Sequence, residues 1–526
     1  MLPFAFSLIF ALANVFDGQA WRDLLAHPQL WPGLRLSFFT GAVSATLALL
    51  AALLIVSAIY NTDKWHALTT NIGAMLALPH LALAVGFGLL VMPSGVIARL
   101  VAALFTGWQS PPNWISTHDP WGVGLIVVLA IKEAPFIIWM LAGILNGPDV
   151  QRSFAGQRAA ALSLGHSTGS IWLRVFLPQL LPKLVWPMVI VFVYAATVVD
   201  VALAIGPTQP PTLASVIWAD INSELVASNA RGQVGALFLS GAIALALFAA
   251  WALAKILAPS LRKFLVQGPS HWAIPSWLGN AKLKALMAFY FIVVMLLLFM
   301  SLAQLWPFPD LGPSISFAAW GRIFNTPQAL ITSLGLAFAT SATALVLLIV
   351  WLETQPEKLD RPLMWLCLAI LGLPAILVGL GQYRAFLNLG LTGTALGLFL
   401  AHLMPVTAYM FIVLQSPYRR FDPRWRASAG GLMAGFGKFF WAIKLPLLKA
   451  PILAAYAIGF AVSFSQYIPA QLVGAGRFST LPIEAVTLTS GNNRPLLAAF
   501  ALLLAVPPFL VFVLAAHFSK SRWRLV

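Results

Sequence analysis

Cysteine is almost absent from this sequence. The single one, Cys367, lies in an apolar run, so no disulfide closes within the chain and a cysteine-based metal site has no ligand set. Charge is equally scarce: Asp, Glu, Lys and Arg make up 9% of 526 residues, against roughly 25% in soluble globular proteins. Acidic residues are the rarer sign, 15 against 31 basic, for a formal net charge of +16. That excess does not point to nucleic acid, because the basic residues gather mainly in alternate polar loops. The 8 histidines show no metal-ligand spacing. No GxxxxGK[ST] phosphate loop is present, since Gly437-Lys438 lacks both the upstream glycine and the following hydroxyl. HExxH is missing too. These absences argue against a disulfide-stapled domain, a built-in ATPase and the commonest metal hydrolases.

Hydrophobicity takes their place. Apolar types make up 60% of the chain and the mean hydropathy is +0.89. Runs of about 20 apolar residues, the length a spanning helix needs, recur from end to end. The reading is an all-α, polytopic membrane protein of about 12 spans. The first, Leu2 to Phe16, rises only about 22 Å and lacks the basic flank of a signal peptide; a short span or a start assigned too late both fit. Later spans are expected at Leu34–Tyr60, from Thr69 through Leu78-Pro79 to Gly86 and Gly88, at Trp121–Leu145 and Leu184–Ile205, and from Gln233 to Leu257. A loop from Pro93 to Pro120 is expected to hold a short helix at Val96–Phe105. Residues 259–282, rich in Gly, Pro and basic side chains, read as a linker between domains 1–258 and 283–526. Beyond it, spans start near Leu283 and cover Ala329–Leu352, Leu363–Gln382, Thr392–Leu414, Pro451–Val473 and Pro495–Phe518. Most basic residues then fall on the side of both termini, which the positive-inside rule places in the cytoplasm.

The two domains repeat each other in parallel. Ser44-Ala45-Thr46 recurs as Ser341-Ala342-Thr343, Leu78-Pro79 as Leu373-Pro374, and Pro135 as Pro405. Leu177-Pro178, Gly206 and Thr212-Leu213 recur as Leu445-Pro446, Gly474 and Thr480-Leu481. Parallel repeats are related by an axis along the membrane normal, so a cavity is expected between the halves.

The most patterned polar stretch is Ala159 to Pro178, AAALSLGHSTGSIWLRVFLP. Ala159, Ala160 and Ala161 favour helix with little bulk; Gly165 ends that turn or admits another backbone; Ser170 to Leu177 can form a second short helix, limited by Pro178. The spacing of the small triplet, Gly165, Val175 and Leu177-Pro178 resembles the EAA loop of ABC-transporter permeases of the binding-protein-dependent (MetI-like) type, with Ala159 where the glutamate stands in that family. Ala427-Ser428-Ala429, Met433, Ile443 and Leu445-Pro446 form a degenerate second copy, with Ala427 in the glutamate's place and Met433 in the glycine's; Gly430, Gly431 and Gly435 are the substitute source of flexibility. The resemblance covers nearly the whole chain. It is greatest to fused, double-length permeases, as in ferric-iron and thiamine importers and YnjC-type inner-membrane permeases, with MetI-like cores at about 34–257 and 329–518.

That resemblance implies an importer subunit that forms the solute path and couples it to two copies of a separate cytoplasmic ATPase. It also implies an external solute-binding protein and a bacterial inner-membrane location. ATP would sit on the partner, with no cofactor on this chain. A twelve-span proton-coupled transporter is the alternative. Charged groups inside spans cost roughly 2.5–3.5 kcal/mol on insertion scales and therefore stand out. Lys132 and Glu133, neighbours on different helix faces, Asp200, and the repeat-related His402 and Gln466 either line the path or brace helices. His80, beside the Leu78-Pro79 break, is open in the same way.

Overall fold

The computed structural model describes residues 9–12, 15–267, 275–422, 424–429 and 436–519. Among these residues it is helical with no strand, as the fold-class reading requires. Among the described residues nine helices are long and apolar enough to span a bilayer, and eleven if each of two sharply bent pairs counts as one span. The expected first span falls largely outside the described residues.

The first half contains α1 (Gly18–Leu25), α2 (Leu30–Ile59), α3 (Asp63–Ala77), α4 (His80–Val91), α5 (Val123–Leu145), α6 (Pro148–Ser163), α7 (Val185–Thr197), α8 (Asp200–Ile205), α9 (Leu213–Ile221) and α10 (Val226–Gln267). After α11 (Ser276–Ser301) the second half follows the same plan: α12 (Ala318–Asn325), α13 (Gln328–Thr354), α14 (Asp360–Gly372), α15 (Ala375–Asn388), α16 (Ala395–Arg419), α17 (Lys449–Phe464), α18 (Ile468–Gly474), α19 (Leu481–Thr489) and α20 (Arg494–Ser519).

Each half is built on three mutually packed helices: α2, α5 and α7 in the first, α13, α16 and α17 in the second. Small residues allow this closeness, as is usual where lipid gives helices no hydrophobic reason to associate. The buried side of α2 carries Ser37, Thr40, Gly41, Ser44, Ala45, Ala48 and Ala52. At Gly41 an added Cβ would lie 2.9 Å from the Ala196 Cβ of α7, so α2 and α7 meet almost backbone to backbone.

The repeat extends to single hydrogen bonds. Ser37 Oγ accepts from the Leu213 amide at 3.0 Å, and Ser333 Oγ accepts from the Leu481 amide at 2.9 Å. His118 donates its amide to Ile205 O at 3.0 Å, and Gly393 donates its amide to Val473 O at 2.8 Å. The halves also exchange partners: α10 packs on α15, while α20 packs on α3 and α4.

Several spans are broken where proline removes a helix donor. Pro79 separates α3 from α4, and Pro374 separates α14 from α15, which are bent by 103°. The expected span at Leu184–Ile205 is likewise two helices, α7 and α8, parted at Val198-Val199. Within the linker at 259–282 the described residues are largely helical: α10 runs through Pro259 to Gln267 and α11 begins at Ser276. The exposed end of α10 hydrates its basic residues, so polar composition there does not oppose helix. Nor does Pro178 limit the second helix of the patterned loop: the chain continues helically from Thr168 to Thr197. It accommodates the proline by one π-helical turn, Trp172–Phe176, ahead of Leu177-Pro178, and Phe440–Lys444 does the same ahead of Leu445-Pro446. The expected short helix of the Pro93–Pro120 loop is present as Val96–Val101, continued by a π-helical turn to Thr106.

A cavity between the halves and a surface at each loop

A cavity of about 420 Å³ lies between the two halves. It opens where the broken helices leave the bundle core loosely filled, and both repeats contribute: His80, Lys132, Glu133, Tyr194 and Asp200 from the first, Gln382, Tyr409, Gln466 and Tyr467 from the second. Four of the five residues singled out at membrane depth therefore meet on one wall system. His402 does not. It is 1% exposed, with Nδ1 3.3 Å from Ser463 Oγ, which in turn accepts from Thr340 at 2.9 Å. His402 thus ties α16 to α17 and α13, and touches the cavity lining only through its carbonyl, which accepts from Gln466 Nε2 at 3.2 Å.

Each polar group has a structural reason. Pro79 has no N–H to give the Met75 carbonyl four residues back, and Lys132 Nζ fills that role, donating to Met75 O at 3.2 Å and Leu76 O at 3.1 Å. Two backbone carbonyls, and no carboxylate of another helix, hold the Lys132 ammonium. Glu133, on another face of α5, meets His80 Nε2 at 2.8 Å, and the His80 ring lies 4.5 Å from that of Tyr194. Asp200 is the first residue of α8 and sits at that helix's N-terminus. Among the described residues no Lys, Arg or His lies within ion-pair distance of it.

The patterned loop presents a different surface. Its helix α6 ends in a left-handed stop: Gly165 has φ +82°, and the His166 amide donates back to Ala161 O at 3.1 Å. Ala159, Ala160 and Gly165 are exposed, Ala161 is buried, and Val175, Leu177 and Pro178 are half-buried. Leu162 is 47% and Leu164 78% exposed, an apolar tip beside small residues. Behind that tip runs an aromatic strut. Phe154 of α6 stacks on Phe176 at 4.2 Å and 5°; Phe176 meets Trp172, and Trp172 meets Tyr60 at the end of α2 at 5.6 Å. Tyr60 also packs on Trp65, whose Nε1 donates to Asn146 Oδ1 at 3.2 Å.

The second loop meets the end of α13, the repeat of α2, through charge instead. Lys444 Nζ lies 2.5 Å from Glu353 Oε1, Tyr418 donates to the same oxygen at 2.5 Å, and Arg419 holds Asp360 at 2.6 Å. Ala427, Ser428 and Ala429 lie on a short helix, Arg424–Ala429, with Ala427 exposed. Ile443 and Leu445 are half-buried and Pro446 is exposed. Met433, Gly430, Gly431 and Gly435 lie outside the described residues. Neither the strut nor the charged clamp was evident from spacing, since each joins residues dozens of positions apart.

Two parallel repeats around a shared cavity, each with a surface loop braced on its own first long helix, define a membrane permease. The chain is 32% identical to the inner membrane ABC transporter permease protein YnjC of Escherichia coli K12 over 523 residues, 99% of this chain and 94% of YnjC. It is 24% identical to the thiamine transport system permease protein ThiP of Salmonella typhimurium over 543 residues, 98% of this chain and 94% of ThiP. A shorter stretch of 133 residues, 24% of this chain and 47% of the relative, is 28% identical to the putrescine transport system permease protein PotI of Escherichia coli K12. No family model matches. The chain belongs to the ABC transporter permeases and serves as the membrane-spanning permease of an ABC importer.

Proposed function

We propose that the cavity between the halves is the solute path, and that the loops at Ala159–Pro178 and Ala427–Pro446 receive two copies of a cytoplasmic ATPase. The chain binds no ATP itself and performs no chemistry on the solute. It lies in a bacterial inner membrane with both termini in the cytoplasm, and a solute-binding protein delivers cargo to the opposite face. ATP-driven closure of the ATPase pair pushes the loops, and the strut and clamp carry that push to the ends of α2 and α13. The halves then rock and expose the cavity to the other side, in proportion to the ATPase's preference for one state. The observation that carries this reading is the exposed apolar tip of Leu162 and Leu164, beside a left-handed glycine and rigidly strutted to α2.

Purification from native membranes in mild detergent tests it. A Walker-type ATPase is expected to accompany the chain and to be lost with Leu164→Asp, which alters an exposed side chain and leaves the fold intact. A chain that emerges alone and transports on a pH gradient without nucleotide would replace this reading with the proton-coupled one.

A further inference from the structure

The relatives named above carry different solutes in their names, so the cargo is better sought in the cavity than in those names. On the reading that this cavity is the solute path, we infer that its cargo is a compact organic cation, an amine or quaternary ammonium.

Two independent features converge. The first is charge. Asp200 is a carboxylate on the cavity wall with no Lys, Arg or His in ion-pair distance among the described residues. The one lysine on that wall, Lys132, directs its ammonium to the Met75 and Leu76 carbonyls. An anion would therefore meet Asp200 and Glu133 with no free cationic donor to receive it. A cation would meet Asp200 directly.

The second is the wall itself. Trp139, Trp186, Tyr194, Tyr409 and Tyr467 line the cavity from both halves. The negative faces of such rings attract ammonium groups, more strongly once water is excluded. At about 420 Å³ the cavity lies in the range of small-molecule sites.

The test uses the full chain in lipid nanodiscs and isothermal titration calorimetry. The probes are choline with its uncharged carbon isostere 3,3-dimethylbutan-1-ol, putrescine with hexane-1,6-diol, and sulfate. At least one cation is expected to bind tenfold or more tightly than its neutral counterpart. Asp200→Asn is expected to remove that preference, while Asp200→Glu keeps it. Equal binding of cations and neutral counterparts, tighter binding of sulfate, or a preference that survives Asp200→Asn would overturn the inference. Size-exclusion profiles matching the parent exclude misfolding of the variants. Co-purification of the ATPase is scored separately. Its persistence alongside failed cation selectivity rejects only the cargo class, whereas its absence rejects the importer coupling.

Discussion

Phe154→Ala isolates the aromatic strut. Of the sixteen residues of α6, the buried side chains are Phe154 and Ala161. Phe154 is 4% exposed and stacks on Phe176, itself 2% exposed. Truncating a buried phenylalanine costs about 3–5 kcal/mol. Here the loss is local, because α6 contributes little to the α2–α5–α7 packing that holds the first half together. What remains to dock α6 is the buried Ala161, the half-buried Val150 and the exposed hydrogen bonds between Gln157 and Gln179. The opening constant of α6 should therefore rise by between two and four powers of ten. Hydrogen exchange with mass spectrometry on the purified chain reads this directly: peptides from 148–163 should lose protection while those from 30–59 keep it. In the assembled transporter, ATP hydrolysis should persist while transport per ATP falls, because the loop moves without pulling α2. Unchanged protection of α6 together with unchanged coupling would refute the strut.

Gly165→Val places a branched residue at φ +82°, where an added Cβ meets no atom within 4 Å. The cost is backbone strain of about 1–2 kcal/mol, seen as weaker ATPase retention on a pull-down with nearly unchanged melting temperature. Lys132→Met leaves the Met75 and Leu76 carbonyls without their side-chain donor. At about 1–3 kcal/mol per unsatisfied group, thermal unfolding in detergent should shift down clearly, and Lys132→Arg should recover most of the shift. Glu353→Gln removes the carboxylate facing Lys444, whose side chain is 15% exposed. Breaking so buried a pair costs about 3 kcal/mol, and increased exchange in peptides from 436–448 should report it.

The features legible in the sequence were those written in local chemistry. The Leu-Pro breaks and the recurring dipeptides of the parallel repeat are such signals, and each has a counterpart in the helices and their paired hydrogen bonds. The helical continuation through Pro178 was missed because a π-helical turn absorbs the lost donor, and no residue pattern announces such a turn. Lys132 stood out by its depth, but its partners are main-chain carbonyls more than fifty residues away, which have no sequence signature. The same holds for Asp360 with Arg419 and for Phe154 with Phe176, where tertiary folding alone makes the pair.

The central claim is that the two halves move against each other around the cavity under ATP. Trp186 of α7 and Trp365 of α14 touch across the halves, with ring centroids 5.2 Å apart. Trp186→Cys and Trp365→Cys can be combined in a Cys367→Ser background, which removes the only native thiol. Cross-linking by a short bismaleimide is then measured on the assembled transporter with and without ATP and vanadate. The account predicts a large change in yield on nucleotide trapping, and loss of transport once the bridge is formed. Equal yield in all nucleotide states, with transport continuing across the bridged pair, would contradict it.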